Sequence, residues 1–414
     1  MIYLPQIKFM IKKIYSITIP LYLIVFHVNS QFVCGTDRFR SNIFSQITKT
    51  LNVQYGSNPN GTANLLLDVY EPTGDNLNKR PLIIFAHGGS FISGSKETDL
   101  AIVDLCERFC RMGYVTASIN YTLGFDVFPP NPESAARTVY RSVHEMKAAI
   151  RFFRKDAATS NQFRIDPDNI FVGGSSAGAF VALHTAYLEN ISELPAGIDT
   201  TGLNGLEGIC GNPGYSSDVK IVINLAGAIG DTAWMKGNTQ PVVSVHGTND
   251  NVVPYGSAII NFLGLYPVME VDGSASIDLQ ADRLGIPHAL LTFQGDGHVP
   301  YQTDANKMNQ TANFVRDFIY DYMCNVSSIL EELNGQSVSL WPVPVNDILH
   351  YNISTSGQNI RINILTLEGQ VVKTLHPLPT GGSINISDLP AGFYFVSFSY
   401  SKGQKVQISK IIKL

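Results

Sequence analysis

Asn169-Ile170-Phe171-Val172, followed by Gly174-Ser175-Ser176-Ala177-Gly178, is the stretch on which the reading of the fold turns. The first four residues form an apolar run of strand length. After the pentad, Ala179, Val181, Ala182 and Leu183 continue as a helix-compatible segment. A serine between two glycines on a strand-to-helix turn presents its hydroxyl at the top of a sheet. The glycines are needed because the turn is strained and a neighbouring strand and helix pass close to it. Some ninety residues earlier, Pro81-Leu82-Ile83-Ile84-Phe85-Ala86 leads directly into His87-Gly88-Gly89. The pentad by itself is equally a Gly/Ser-rich turn. The strand and helix around it, and the HGG before it, select the nucleophile reading.

Working outward, apolar strand-like runs alternate with amphipathic helices from Gln31 to about Asn325. Leu65 to Tyr70, Tyr114 to Ile119, Val219 to Leu225, Pro241 to Val245 and Ala289 to Phe293 read as strands. Asp99 to Met112, Glu133 to Asp156 and Asn306 to Met323 have helical spacing. Continuous apolar strands between helices predict an α/β fold, a mostly parallel sheet with helices on both faces. Glu189 to Ser217, rich in glycine and polar residues, is expected as irregular structure over the site. Beyond about residue 326 the pattern changes. Ile360, Ile362 and Ile364 alternate with Arg361 and Asn363, and Glu368-Gly369, Gly381-Gly382 and Lys402-Gly403 fall at turns, which predicts a small all-β sandwich.

The first thirty residues have the form of an export signal. Lys8, Lys12 and Lys13 precede an apolar run from Ile14 to Val28, and Val28-Asn29-Ser30 offers a cleavage site before Gln31. The expected organisation is therefore a signal at 1–30, a catalytic domain at 31–326, a linker at 327–339 and a β-sandwich at 340–414. Of 414 residues, 44% are hydrophobic and 15% charged, which fits a well-cored globular protein. A net charge of −5 without a basic stripe excludes a nucleic-acid partner. Cys34, Cys106, Cys110, Cys210 and Cys324 all follow the signal, in a disulfide-permitting compartment; five cannot all pair, and their spacing does not fix the pairing. Neither Cys-x-x-Cys nor a His-rich cluster points to a metal.

A serine hydroxyl needs a base, histidine suits that exchange near neutrality, and a buried carboxylate fixes the imidazole. The order expected on this fold is nucleophile, acid, histidine. Asp250, just past the Pro241 to Val245 strand, and His298, just past the Ala289 to Phe293 strand, follow Ser176 in that order and reach the same sheet edge. Asp296 competes for the acid role, but a neighbour two residues away rarely reaches its own histidine. Among the other histidines, His87 is expected to order the glycine loop and His246 to prop the acid loop. His144 and His184 fall on helices, and His288, His350 and His376 carry no motif. Backbone N–H groups of Gly88, Gly89 and Ala177 are the expected oxyanion donors. Phe91, Tyr121, Trp234 and Tyr255 are candidate pocket walls or, equally, ordinary core.

His87-Gly88-Gly89-Ser90-Phe91, the elbow at Ser176, Asp250 and His298 together resemble the α/β-hydrolase superfamily, most closely its carboxylesterase and lipase branch. The resemblance implies carboxylic-ester hydrolysis through an acyl-serine, with no cofactor. Three positions depart from the branch. Ser175 stands where a carboxylate is common, and Thr122 in Tyr121-Thr122-Leu123 replaces an arginine, so a structural ion pair is expected to be missing. Ala179 replaces the second glycine of prolyl-peptidase relatives, which argues against peptidase activity.

The C-terminal block is similar to type IX secretion sorting domains of Bacteroidetes. The resemblance rests on Leu340-Trp341-Pro342-Val343-Pro344, Leu367-Glu368-Gly369-Gln370-Val371-Val372, Leu389-Pro390-Ala391-Gly392-Phe393-Tyr394 and Lys410-Ile411-Ile412-Lys413-Leu414. It implies passage through the periplasm, engagement of outer-membrane secretion machinery, and release or surface attachment. An accessory carbohydrate-binding sandwich is the other reading of this block, though it lacks an aromatic platform. The chain then reads as a secreted serine esterase acting on small-molecule or polysaccharide-linked esters. The alternatives are a carbohydrate esterase removing acetyl or feruloyl groups and, in another class, a catalytically silent surface adhesin on a hydrolase scaffold.

Overall fold

The computed structural model describes residues 36–195, 197–329, 338–342, 345–353, 360–366, 370–378, 381–400 and 405–413. The expected export signal, Cys34, most of the linker and the turns at Glu368-Gly369 and Lys402-Gly403 lie outside these residues. In chain order the first region contains β1 (Ile47–Ser57), β2 (Asn64–Pro72), β3 (Arg80–Ala86), α1 (Leu100–Arg111), β4 (Val115–Ile119), α2 (Pro132–Ala158), β5 (Ile165–Ser175) and α3 (Ala177–Tyr187). It continues with β6 (Ile221–Leu225), β7 (Ala228–Ile229), β8 (Val242–Gly247), β9 (Ser257–Phe262), β10 (Tyr266–Gly273), α4 (Ser274–Leu284), β11 (His288–Phe293) and α5 (Ala305–Ile329).

Eight strands form one sheet in the order β1-β2-β4-β3-β5-β6-β8-β11. From β4 to β11 every neighbour pair is parallel; β1 and β2 attach antiparallel. The chain moves from β3 outward to β4, then returns to place β5 on the other side of β3. The β3/β5 seam is thus the topological switch point, where such sheets open a crevice at their carboxyl ends. β3 leads into His87-Gly88-Gly89 and β5 into Ser176, so both motifs arrive at that crevice.

Local chemistry sets the elements around this seam. All residues of β3 are buried, as expected of a strand covered on both faces. α1 starts at Asp99, whose carboxylate accepts the Ile102 N–H, and carries Arg108 and Arg111 in its last turn. α2 opens with a reciprocal capping box between Asn131 and Ser134, with Pro132 in its first turn. α3 is buried along its whole length, which its nearly uniform apolar sequence permits.

The glycines at the elbow are steric necessities. A Cβ on Gly178 would lie 2.1 Å from the Ala86 carbonyl oxygen of β3, and one on Gly174 would lie 2.2 Å from the Gly178 carbonyl carbon. Gly173 is similarly closed in by Ile223 and Phe85.

Several features differ from the sequence expectation. β1 is a half-exposed edge strand in which Leu51, Val53 and Tyr55 alternate with polar residues, without a continuous apolar run to announce it. β9 and β10 form a hairpin that joins β7 in a separate three-stranded antiparallel sheet, inserted between the acid loop and α4. The 189–217 segment is irregular apart from a short 3-10 turn at Ile191–Glu193, but it lies along α2 and β1. Gly205 accepts hydrogen bonds from Tyr140 and His144, Glu207 holds Lys147, Arg151 and Ser217, and the Cys210 carbonyl accepts the Ser57 N–H. Its glycines serve that close approach: a Cβ on Gly208 would meet the His144 side chain at 2.5 Å. Cys106, Cys110 and Cys210 are buried free thiols, whereas Cys324 is disulfide-bonded.

At Thr122 the missing arginine has a local replacement. The backbone N–H and hydroxyl of Thr122 each donate to the Glu145 carboxylate at 2.6 Å. Glu145 is fully buried, and burial raises its pKa against the lowering influence of Thr122 and Arg141.

The C-terminal region consists of β12 (Val338–Trp341), β13 (Ile348–Ile353), β14 (Ile360–Leu365), β15 (Val371–Leu378), β16 (Gly381–Asn385), β17 (Gly392–Tyr400) and β18 (Lys405–Lys413). They form two antiparallel sheets, β12-β13-β16 and β15-β14-β17-β18. Leu349, Tyr351 and Ile384 from the first meet Ile362, Ile364, Val396, Phe398 and Ile411 from the second in one core. Among the described residues, no helix is long and apolar enough to cross a membrane.

Two outcomes follow from these contacts. Gly178→Ala forces a methyl into the β3 backbone and should cost about 2 kcal/mol or more, read as a lowered urea midpoint. Because the folded pKa of Glu145 is raised, its stabilising contribution is full below its unfolded value and is lost as pH rises through the folded one. Glu145→Gln should therefore gain on the wild type in thermal unfolding as pH rises from 4 toward 8.

Candidate active site

Ser176 caps the N-terminus of α3 with φ 53° and ψ −117°, a backbone region that non-glycine residues avoid. Its N–H donates to the Leu225 carbonyl at 2.8 Å, tying the turn to β6. Its hydroxyl stands 2.8 Å from His298 Nε2. His298 Nδ1 in turn lies 2.6 Å from Asp250 Oδ2. A carboxylate only accepts, so Nδ1 carries the proton and Nε2 is left to accept from the serine hydroxyl.

The loops bearing Asp250 and His298 leave β8 and β11, adjacent parallel strands paired as far as Gly247 and Phe293. Gly247 lets them touch, since a Cβ there would fall 2.4 Å from the carbonyl oxygens of Asp296 and Gly297. Asp250 is buried and fully hydrogen-bonded. Oδ1 accepts the N–H groups of Val252 and Val253, both at 2.9 Å, while Oδ2 accepts from His298 and, at 3.1 Å, from His246. Burial pushes its pKa up, but the two histidine hydrogen bonds, the His298 charge and the backbone donor outweigh it and hold the carboxyl well below the usual range. Asp296 faces elsewhere, paired with Lys307 at 2.6 Å.

The oxyanion loop corrects one assignment. The Gly88 N–H is not available to a substrate, because it donates to Asp99 Oδ2 at 2.9 Å. The N–H groups of Gly89, Ser90 and Ala177 have no hydrogen-bond partner among the described residues. Gly89 has φ 116°, where a Cβ would meet the Ser93 carbonyl oxygen at 2.0 Å, and Ser90 follows with φ 54°. Ser90 has no signal in the sequence, because a backbone donor is set by dihedral angles and not by residue type. His87 organises the loop from behind: Nδ1 contacts the Gly88 carbonyl at 2.6 Å, and the ring stacks on Tyr121 at 4.4 Å. Burial lowers its pKa, although the Gly88 contact pulls the other way.

Tyr301 is a second residue that the sequence did not announce. Its hydroxyl donates to the Leu225 carbonyl at 3.1 Å and accepts from Ser175 Oγ at 2.8 Å. Ser175 thereby anchors the segment that follows His298.

The four aromatic candidates are engaged with the scaffold. Tyr121 is buried and donates to the His87 carbonyl at 2.9 Å, so it supports the oxyanion loop instead of lining a pocket. Phe91 packs edge-on against it at 5.8 Å. Tyr255 stands edge-on to His246 at 5.7 Å and bonds Thr292 through its hydroxyl. Trp234 packs against His184 at 5.5 Å. Burial pushes the His184 pKa down to about 4, and its Nε2 contacts the Gly230 N–H at 3.3 Å.

Residues 67–230 match the BD-FAE family model, and residues 339–413 match the secretion system C-terminal sorting domain. Among solved structures, the chain is similar to Thermogutta terrifontis esterase 2 phosphonylated by cyclosarin, with 21% identity over 66% of this chain and 94% of that one and a TM-score of 0.47. The propionate-bound form of that Planctomycetes esterase gives 20% identity over 66% and 94%, with a TM-score of 0.46. A truncated carbohydrate esterase from gut microbiota gives 20% identity over 67% and 98%, with a TM-score of 0.45. The two family matches, with the mostly parallel, doubly covered sheet already described, make residues 67–230 similar to the esterase-like BD-FAE hydrolases and residues 339–413 similar to type IX secretion sorting domains.

Proposed function

We propose that the protein is a serine esterase that hydrolyses carboxylic esters through an acyl intermediate on Ser176. The observation that carries this reading is the unbroken contact from Ser176 Oγ through His298 to Asp250, at 2.8 and 2.6 Å. Ser176 Oγ attacks the ester carbonyl as its proton passes to His298 Nε2. Asp250 stabilises the resulting imidazolium, and the N–H groups of Gly89, Ser90 and Ala177 donate to the tetrahedral oxyanion. His298 then returns the proton to the departing alcohol, leaving acyl-Ser176, and the same steps with water release the acid. Gly88 acts indirectly, through the hydrogen bond to Asp99 that fixes the loop.

The sorting domain supports a narrower reading, in which the natural substrate is an ester attached to a polymer too large to enter a cell, such as an acylated polysaccharide. An enzyme sent outside the cell meets such polymers first. The connected Ser176–His298–Asp250 contacts weigh against a silent adhesin.

Ser176→Ala should lower turnover of p-nitrophenyl acetate by about 10⁴-fold or more while thermal unfolding changes little; retained turnover in the purified variant would refute the role. Asp250→Asn should lose about 10⁴-fold in kcat, since the amide can donate to Nδ1 and present the wrong tautomer. A fluorophosphonate probe should label the wild type and leave Ser176→Ala unmarked. Acetylated xylan, compared with p-nitrophenyl esters of increasing chain length, separates the polymer-linked reading from a general esterase.

A further inference from the structure

His246 takes no part in the proton transfers above, yet it is fully buried and shares Asp250 Oδ2 with His298. Behind it runs a chain of buried hydrogen bonds whose directions can be assigned in sequence. The Gly227 N–H donates to Asn224 Oδ1 at 3.0 Å, which orients the amide. The Asn224 NH₂ then donates to Ser244 Oγ at 3.1 Å and to Ser274 Oγ at 3.0 Å. Ser274 therefore has its own hydroxyl proton free for His246 Nδ1, at 2.7 Å. With Nδ1 accepting, the imidazole carries its proton on Nε2, which faces Asp250 Oδ2 and the Val253 carbonyl, each at 3.1 Å. Asn224, Ser274 and His246 are all fully buried, from β6, the first turn of α4 and β8.

We propose that His246 is a positioning residue for ester hydrolysis, held by Asn224 and Ser274 as the neutral Nε2–H tautomer so that it steers Asp250 without cancelling its charge. A second proton on His246 would need Ser274 to turn its hydroxyl away from Nδ1. The imidazolium would then pair with Asp250 and weaken the carboxylate's support of His298. The other groups around His246 leave this balance undisturbed. Tyr255 presents a ring edge, and Thr292, opposite on β11, bonds the Tyr255 hydroxyl. Asp272 on β10 is held by Thr232 and Ser257, and Asp278 on α4 by His288. Asp250 is the charge that His246 meets directly, with His298 beyond it.

The inference rests on the roles given above to Ser176, His298 and Asp250, and the test keeps the two apart. His246→Leu, His246→Gln and Ser274→Ala are compared with wild type and Ser176→Ala in kcat, KM and the pH profile of kcat/KM on p-nitrophenyl acetate. His246→Leu is expected to lower kcat by ~10-fold or more with KM nearly unchanged, and His246→Gln, whose amide can still donate, to recover most of that loss. Loss of the donor leaves Asp250 more basic and His298 easier to protonate, so the acid limb of the Leu variant moves to higher pH. Ser274→Ala frees Nδ1 to take a proton, and an imidazolium sharing Asp250 opposes a second one on His298, so this variant's limb moves the other way, to lower pH. The proposal is overturned if a folded His246→Leu keeps its acid limb and a kcat within about threefold of wild type, or if the Gln variant is as impaired as Leu. Should the Leu variant not fold, an unmoved acid limb in Ser274→Ala overturns it. Turnover persisting in Ser176→Ala would instead sink the serine assignment itself.

Discussion

The contact between Gly178 and the Ala86 carbonyl is the constraint from which the rest of the site follows. α3 can leave the sheet edge at the angle it does only because no side chain separates its first turn from the end of β3. That angle holds Ser176 in a backbone conformation that serine avoids, a strain the surrounding sheet over-determines. The same closeness brings the glycine loop after β3 beside the helix N-terminus, where a Cβ on Gly88 would lie 3.5 Å from the Ser176 Cβ. The positions of Ser176 and of the glycine loop are therefore two aspects of a single packing event at the switch point.

The second requirement is electrostatic. A buried carboxylate is costly unless it is paired and hydrogen-bonded. Asp250 meets that requirement with two backbone N–H groups on one oxygen and two imidazoles on the other. Saturation keeps it ionised and leaves little freedom for rotation. Glu145 is the contrasting case, a buried carboxylate whose two hydrogen bonds both come from Thr122 and whose pKa moves the opposite way. Depth alone sets neither direction; the number and charge of the donors decide.

Much of this was legible in the chain. Wherever a run was continuously apolar, as in β3, β5, β6 and β8, its period and length identified the strand, and residues after those strands were bound to share an edge. Ser176, Asp250 and His298 could be located on that ground alone. β1 and the β9–β10 hairpin escaped because each buries only a few side chains, among them Tyr55, Phe262, Val268 and Val271, and none is a continuous apolar run. The assignment of Gly88 failed for another reason: the direction of a backbone N–H depends on a partner, here Asp99, eleven residues away in the next helix cap. Tyr301 and the Asn224–Ser274–His246 chain were invisible because they join residues from different strands through neutral side chains, which leave no pattern along the sequence.

Ser175 and Tyr301 join the two loops through side chains. Ser175 is hydrogen-bonded to Tyr301, three positions past His298, and the Leu225 carbonyl of β6 accepts from both the Tyr301 hydroxyl and the Ser176 N–H. The loop that carries His298 and the elbow that carries Ser176 therefore share one anchor on the sheet, and moving either against the other would break hydrogen bonds. A common anchor of this kind constrains the relative coordinate of the two side chains more directly than the absolute position of either.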